Sequence, residues 1–206
     1  MLDILITNAT LPDGRTGQSI AIQGDRIVEV GPSVSGDVGR TIDAGGCLVT
    51  PPFIDPHFHL DSTLSLGEPR LNRSGTLLEG IQLWGELKPH LTGDAIKQRV
   101  RELARWSIAK GTLAIRSHVD TSDPRMINVD ALIEVREELK PYIDIQLVAF
   151  PQDGFFRSPG AAENLTRALD KGVDVVGGIP HFERTMEDGA RSVRALCEIA
   201  AERGLR

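Results

Sequence analysis

The sequence predicts an α/β protein in which parallel strands are covered by helices, and it favours a closed (βα) barrel over an open doubly wound sheet. Two observations lead to this class. Amphipathic helices alternate with short, nearly continuous apolar strands, and each strand follows a Gly or Pro that ends the preceding helix. Neither G-x-G-x-x-G nor G-x-x-x-x-G-K-[ST], the phosphate-binding patterns of many open sheets, occurs in the chain.

The N-terminal elements are short strands and turns, which we expect to form a separate small part over residues 1–46. The second and third strands flank a two-residue Gly24-Asp25 turn, a strong hairpin signal because Gly tolerates positive φ. This part is too small to fold well alone. The predicted strands cover residues 4–6, 20–23 and 26–30.

Residues 47–206 are expected to form the barrel part, as about four βα units. In the first long helix, Ile96, Val100 and Leu103 recur at spacings of three and four residues, which indicates one apolar face. An apolar strand at 47–50 leads to His57-Phe58-His59. The other predicted strands cover 112–115, 143–150 and 173–176, and the helices cover 94–110, 129–140, 161–171 and 188–203.

The length of the chain conflicts with a complete barrel. Eight βα units need about 250 residues, whereas only 206 − 46 = 160 follow the N-terminal part. Gly204 repeats the pattern of Gly111 and Gly172, after which a strand begins at once. We therefore expect the chain to stop before a fifth strand, as a fragment or truncated product, unless the barrel prediction is wrong. Half a barrel has unpaired edges, which predict association with a complementing C-terminal half or as a homo-oligomer.

Composition limits the classes of partner. The chain has 206 residues, a net charge of 23 − 29 = −6 and 40% apolar residues, which is enough for a buried core. The acidic balance argues against a nucleic-acid partner. Two cysteines exclude a disulfide framework or a Cys-based zinc module. No apolar run is long enough for a membrane span and no secretory signal is recognisable, so we expect a cytoplasmic protein.

His57 and His59 are the strongest candidates for a functional site. Residues i and i+2 of a strand share a face, and two imidazoles side by side suit a divalent metal such as zinc or iron. They follow a predicted buried strand, at the end where barrel active sites collect. The alternative is two unrelated histidines, one in the core and one exposed.

Other polar residues also follow predicted strands. Gln152 offers a donor and an acceptor that suit the cyclic amide edge of a pyrimidine, although it is also an ordinary loop residue. His118 and Asp120 either orient metal ligands or, as we favour, close a loop by pairing with each other. His181 and Glu183 suggest a third ligand and a base, but nothing in the sequence proves their contact with the first strand.

Two further expectations concern packing. Trp84 and Trp106 lie on helical segments and are expected to pack in the outer helical layer. Cys197 occupies an apolar position of the last helix, and both it and Cys47 are expected to be buried structural thiols.

Several motifs resemble one enzyme superfamily. Residues 46–61 read GCLVTPPFIDPHFHLD and resemble the first barrel strand of the amidohydrolase superfamily, with Pro51-Pro52-Phe53 in place of the more usual Pro-Gly-Phe. That variant is similar to the bacterial cytosine deaminase group. Further similar segments are SGTLLEGI at 74–81, SHVD at 117–120, VAFPQDG at 148–154 and VVGGIPHFE at 175–183.

The resemblance implies an incomplete TIM-type (βα) barrel with a small N-terminal β-sandwich part, the N-terminal half of the family fold. It implies metal-dependent hydrolytic deamination of a pyrimidine-type base, cytosine to uracil plus ammonia. Isocytosine, another cyclic amidine or a triazine-like ring is an alternative substrate. An inactive, non-enzymatic half-barrel and a structural βα protein without any site also remain open.

The resemblance also implies roles for individual residues. His57 and His59 would be ligands of one divalent ion, Fe2+ or Zn2+, and Gln152 would contact the small pyrimidine-like substrate. A single metal is implied because the segment at 179–182 lacks the modified Lys of two-metal members. The remaining ligands, a proton-shuttling Glu and another catalytic His would lie beyond Arg206, so no catalytic residue is assigned.

Overall fold

The computed structural model describes residues 1–205 and divides the chain into two compact units, Met1–Pro51 and Pro52–Arg206. The division falls after Pro51, whereas the sequence placed the boundary after residue 46. The residues after 46 belong to the first unit because Leu48 forms a parallel bridge with Thr10, whose carbonyl oxygen accepts the amide of Val49 at 2.9 Å.

The first unit contains one four-stranded sheet in the order β3-β2-β1-β4. Neighbours pair antiparallel except β1 and β4, which are parallel. Gly24, at φ +60°, permits the two-residue turn that the sequence predicts between the second and third strands. Ala9, Leu11 and Ile20 form a small buried cluster. The strands are β1 (Leu2–Ala9), β2 (Gln18–Gln23), β3 (Arg26–Gly31) and β4 (Val38–Asp43).

The second unit contains a parallel sheet whose strands lie side by side in chain order. The pairing of the second and third of these strands runs without a shift from Ala114 opposite Asp144 to Asp120 opposite Phe150. The carboxyl ends of the strands therefore meet at one edge of the sheet, and the predicted mixed α/β class with a parallel sheet is confirmed. The strands are β5 (Phe53–Phe58), β6 (Thr112–Asp120), β7 (Asp144–Phe150) and β8 (Val175–Val176).

Within residues 1–205, five α-helices accompany this sheet. Three begin at a threonine whose hydroxyl accepts a main-chain N–H three residues later, namely Thr76, Thr92 and Thr185. Gly111 and Gly172, at φ +86° and +104°, follow two helices as predicted. The helices are α1 (Leu77–Leu87), α2 (Gly93–Ala109), α3 (Ile127–Leu139), α4 (Ala161–Asp170) and α5 (Met186–Glu202), with 3-10 turns at Lys88–His90 and Pro180–Phe182.

The main core lies among the helices and strands of the second unit. Ile96, Val100, Leu132, Leu147 and Leu165 are completely buried there. The first two occupy positions where the sequence predicts an apolar helical face.

The first strand of the parallel sheet differs from the prediction. It is β5, not residues 47–50, and it is not buried, since Phe53 and Ile54 are 64% and 70% exposed. Within residues 1–205 this strand pairs only with β6 and lies at the edge of the sheet. Its apolar side chains therefore have a neighbouring strand on one side only.

The buried face of α5 does not include Cys197, which the sequence analysis expected to be buried. Gly189, Ser192 and Leu196 face inward, and Cys197 is exposed, so the prediction of a buried thiol is wrong, as it is for Cys47. The sequence could not reveal this because the inward face is set by small residues. No helix within residues 1–205 is long and apolar enough to cross a membrane.

We predict that Gly189→Ala lowers stability although alanine is the better helix former. A Cβ at Gly189 would lie 2.8 Å from the carbonyl oxygen of Pro180, so α5 and the turn before it would have to separate. Overpacking of this kind costs about 1–3 kcal/mol, more than the ~1 kcal/mol of helix propensity gained. Urea unfolding measures the difference.

Gly85→Ala is the matched control, since Gly85 also lies inside a helix but its Cβ would meet open space. This variant should gain about 0.5–1 kcal/mol. A Gly189→Ala protein as stable as the Gly85→Ala protein would contradict the close approach.

Candidate active site

A cavity of about 550 Å3 lies at the carboxyl ends of the strands of the second unit. Each strand contributes to its wall: His57 belongs to β5, Asp120 ends β6, Gln152 follows β7 and His181 follows β8. Trp84 of α1 also lines it. Parallel pairing thus brings side chains that are far apart in sequence into one cavity, as is typical of α/β enzymes.

His57 and His59 lie side by side in this cavity, with ring centroids 5.4 Å apart and an edge-to-face arrangement. His57 is exposed and His59 is half-buried. Burial lowers the pKa of His59, and the nearby His57 lowers it further. A neutral imidazole is the form that binds a metal, so the environment of His59 favours the state that a ligand requires.

His118 joins these two rings, which differs from the favoured interpretation of the sequence. Its ring centroid lies 4.0 Å from that of His57 and 5.5 Å from that of His59. Burial, with the charges of the other two histidines, lowers its pKa to about 4. Its Nδ1 is buried and has no hydrogen-bond partner within the described part of the chain. The carboxylate of Asp120 binds other groups, so the two residues do not close the loop as a pair.

The donor set fits part of a metal site. Two adjacent imidazoles that face a cavity match two positions of a tetrahedral zinc-type site. Over residues 1–205, no group of three or more His, Cys, Asp or Glu side chains is arranged to hold a metal ion. The described residues therefore supply two candidate ligands, His57 and His59, and a complete site needs further ones.

Asp61 is a buried carboxylate that the sequence analysis did not single out. It follows His59 by two residues and lines the same cavity, yet only 1% of it is exposed. Burial raises its pKa to about 7, although its carboxylate accepts the amide of Asp120 at 2.8 Å. Arg99 fixes its main chain by donating to the carbonyl oxygens of Asp61 and Thr63.

Gln152 lies where the sequence predicted, directly after β7. The main-chain N–H of Gln152 donates to the carbonyl oxygen of Phe150 at 2.9 Å and so forms a tight turn. This turn places Gln152 at the cavity wall. Phe150 lines the same wall, and its ring centroid is 5.5 Å from that of His59. Gln152 thus stands beside an aromatic surface in the cavity that contains the histidines.

His181 and Glu183 have different roles in the structure. His181 lies on the 3-10 turn after β8 and lines the cavity. Glu183 instead accepts three main-chain N–H groups at 2.6, 3.1 and 2.9 Å, from Phe155, Phe156 and Arg157. A carboxylate with both oxygens occupied in this way anchors a loop, so the prediction of a base at Glu183 is not supported.

Comparison with known proteins gives the family. The model of the amidohydrolase family (Amidohydro_3) matches residues 40–206. The chain belongs to the amidohydrolase family. The resemblance predicted from its motifs is therefore confirmed.

Individual amidohydrolases are similar over nearly the whole chain. N-isopropylammelide isopropyl amidohydrolase from Pseudomonas sp. (strain ADP) is 35% identical over 204 residues, which cover 95% of this chain and 49% of that protein. The structure of 5-methylcytosine deaminase from Klebsiella pneumoniae, liganded with 5-fluorocytosine, superposes with a TM-score of 0.92 at 39% identity and covers 98% of this chain and 49% of that one. N-isopropylammelide isopropylaminohydrolase from Burkholderia multivorans ATCC 17616 gives 0.80 at 32% identity, covering 99% and 51%. This amidohydrolase chain thus spans about half the length of these relatives.

Trp84 also departs from expectation. It does not pack in the outer layer of this amidohydrolase but lines the cavity, and its indole N–H donates to Asp120 at 2.6 Å. For Asp61 the sequence did contain a signal, because His57, His59 and Asp61 alternate at positions i, i+2 and i+4, and residues at this spacing in an extended segment share one face. No local signal could have placed Trp84, because its partner is 36 residues away.

We predict that Glu183→Gln loosens the loop after β7. The substitution removes the charge and turns an NH2 group toward main-chain N–H donors, which should cost about 1–3 kcal/mol. Hydrogen exchange at the amides of residues 155–157 should accelerate, and urea unfolding should show the loss. Glu187→Gln is the control, because Glu187 is exposed in the first turn of α5. It should change neither the exchange at residues 155–157 nor the stability to urea. Equal stability of the two variants would refute the anchoring role.

Proposed function

We propose that this chain forms the substrate-binding part of a metal-dependent hydrolytic deaminase that acts on a pyrimidine-type base. The observation that carries the proposal is that two adjacent imidazoles, His57 and His59, share a cavity with Gln152. The reaction would convert cytosine, or a cytosine substituted on its ring, to the corresponding uracil and ammonia.

His57 and His59 are the residues that would hold the cation, Zn2+ or Fe2+. When bound, a divalent cation supplies Lewis acidity for hydrolysis. The shifted pKa of His59 keeps its ring neutral and available. Remaining ligands and the group that moves the proton would come from polypeptide outside the described residues.

Gln152 would recognise the ring. Its side chain offers one acceptor and two donor hydrogens, which complement the N–H and C=O groups of a cyclic amide edge. Phe150 and Trp84 provide flat apolar surfaces in the same cavity, suited to a planar heterocycle. In the reaction, the oxygen of water bonds to the amine-bearing ring carbon, the C–N bond breaks and ammonia leaves. The similarity to a 5-methylcytosine deaminase crystallised with 5-fluorocytosine supports this choice of ring.

A triazine ring is the second candidate substrate. Its support is the 35% identity to N-isopropylammelide isopropyl amidohydrolase over 204 residues. Cyclic amide edges occur in both ring types, so Gln152 alone does not discriminate between them. Assays for ammonia release from cytosine, 5-methylcytosine and isocytosine, and for isopropylamine release from N-isopropylammelide, separate the alternatives when they are run on this chain together with the polypeptide that completes the site.

The parallel sheet would be the first half of a TIM-type barrel, and the first unit would be part of a small β-sandwich. Within residues 1–205, β5 and β8 each pair with one strand only. Phe53 and Ile54 expose apolar surface at one of these edges. Such edges favour pairing with further polypeptide, whether a complementing C-terminal half or a second copy. Light scattering that finds a stable monomer of residues 1–206 would count against this association.

We predict that the double variant His57→Ala/His59→Ala loses metal binding. In equilibrium dialysis at a fixed free Zn2+ concentration, the wild-type chain should retain up to about one equivalent, held weakly because it supplies only two of the ligands of a usual zinc site. Elemental analysis and competition with a chromophoric chelator measure the retained metal.

His90→Ala is the control for this experiment, since His90 is exposed on a 3-10 turn and does not line the cavity. It should bind metal like the wild type. Equal zinc contents in the double variant and the control would exclude His57 and His59 as ligands.

We also predict that Gln152→Leu weakens cytosine binding about 10- to 100-fold, the equivalent of about 1–3 kcal/mol for a buried hydrogen bond left unmade. Titration calorimetry measures the affinity. Gln82→Leu, on an exposed position of α1 whose amide donates to Glu86, serves as the control and should bind normally. If Gln152→Leu binds cytosine as well as the control does, Gln152 does not read the ring.

A further inference from the structure

Lys88 is a nearly buried lysine directly after α1, and its main chain is held firmly. Arg125 donates to the carbonyl oxygen of Lys88 at 2.6 Å and to that of Pro89 at 3.2 Å. Asp123 in turn holds the guanidinium of Arg125 at 2.7 Å. The side chain of Lys88 is only 12% exposed, so its ammonium group occupies a fixed position behind the cavity wall.

The ammonium group bridges carboxylates from the ends of two strands. Its Nζ lies 3.1 Å from Oδ2 of Asp120 and 2.6 Å from Oδ2 of Asp153. Burial alone would lower the pKa of Lys88, but the charges of the two carboxylates raise it above its ordinary value. Lys88 therefore stays a cation, and it balances two negative charges that would otherwise repel each other.

The carboxylate of Asp120 connects Lys88 to one part of the cavity wall. Its Oδ2 accepts the indole N–H of Trp84 at 2.6 Å, and both Asp120 and Trp84 line the cavity. Its Oδ1 accepts the amide of Ser122 at 2.7 Å. Without the ammonium group, this carboxylate would keep its neutral donors but lose its counter-charge.

The carboxylate of Asp153 connects Lys88 to the other part. Asp153 follows Gln152 in the turn after β7, and its amide donates to Oγ of Ser122 at 3.0 Å. Asp120, Ser122, Asp153 and Lys88 thus form a closed ring of contacts. The turn that carries Gln152 is therefore held at Asp153 in two ways. Ser122 binds the main chain of Asp153, and Lys88 binds its side chain.

We propose that Lys88 is a positioning residue, which fixes the Gln152 turn relative to Trp84 by pairing with Asp120 and Asp153 at the same time. Its effect on ligand binding rests on the proposed function, because that function makes Gln152 and Trp84 the contacts of the ring. The fixing of the turn does not depend on any ligand.

Lys88→Met tests the proposal, since it keeps the length of the side chain and removes the charge. In the Trp106→Phe background, Trp84 is the sole tryptophan. Hydrogen exchange at the amides of Asp153 and Gly154 should become at least fivefold faster, and the fluorescence maximum of Trp84 should shift. Cytosine binding should weaken at least tenfold.

Lys97→Met is the matched control. Lys97 also bridges two carboxylates, Asp94 at 3.4 Å and Glu134 at 2.7 Å, and its side chain is 18% exposed. It lies on α2, however, and its partner Glu134 lies on α3, so it does not touch the turn after β7. This variant should leave the Gln152 turn, the Trp84 fluorescence and cytosine binding unchanged. Lys88→Arg, which keeps the charge, should restore slow exchange at least in part.

Asp153→Asn separates a local role from a general loss of stability. It should accelerate exchange in the turn as Lys88→Met does, and the double variant should add nothing, because both remove the same ion pair. Uniform acceleration across the whole sheet in Lys88→Met, or no acceleration in Asp153→Asn, would overturn the proposal. If the wild-type chain binds no cytosine, the proposed function fails while the exchange and fluorescence results still decide the role of Lys88. Normal cytosine binding by Lys88→Met would overturn that role alone.

Discussion

Parallel pairing of β5 to β8 in chain order is the constraint on which the candidate site depends. It places the ends of four strands at one edge of the sheet, so that His57, Asp120, Gln152 and His181, spread over more than a hundred residues of sequence, line one cavity. A shift of β7 by one residue against β6 would turn Phe150 away from the histidines and move the Gln152 turn with it. The unshifted register from Ala114 to Asp120 therefore positions the residues of the candidate site as well as stabilising the sheet.

Burial of charged and titratable groups under the cavity requires compensation. Transfer of an unpaired ion from water costs several kcal/mol, yet Asp61, Asp120 and Lys88 all lie at or behind the wall. Each is compensated differently. Asp120 receives hydrogen bonds and a counter-charge, Lys88 sits between two carboxylates, and Asp61 has a pKa raised to about 7, which reduces its mean charge near neutrality. The imidazoles follow the same rule, since burial favours the neutral form of His59 and His118.

The parts of this structure that depend on local patterns could be predicted, and those that depend on long-range contacts could not. The helix-ending Gly111 and Gly172, the turn at Gly24 and the parallel class follow from short-range rules, and the family follows from a contiguous motif. The exposed Cys197 could not be predicted, because small residues such as Gly189 set the buried face of α5. Glu183 resembled a base by its place after a strand, but only the fold brings the amides of residues 155–157 to it, from a loop 26 to 28 residues away. Gln152 was placed at the cavity because a residue directly after a parallel strand has few other positions available.

Several acidic residues of this chain accept main-chain N–H groups of loops or strands. Asp61 accepts the amide of Asp120, Asp174 accepts that of Leu147, Glu79 accepts that of Ser74, and Glu183 accepts three. Each such bond is charge-assisted and stronger than a bond between neutral groups, which allows irregular segments beside a cavity to be held in place. One consequence concerns the cavity itself. Because Asp120 is occupied by other donors, the polar groups that the strand ends present to the cavity are chiefly the imidazoles and the side-chain amide of Gln152. Donors and acceptors of this kind, beside two candidate metal ligands, suit the proposed planar, hydrogen-bonding ring.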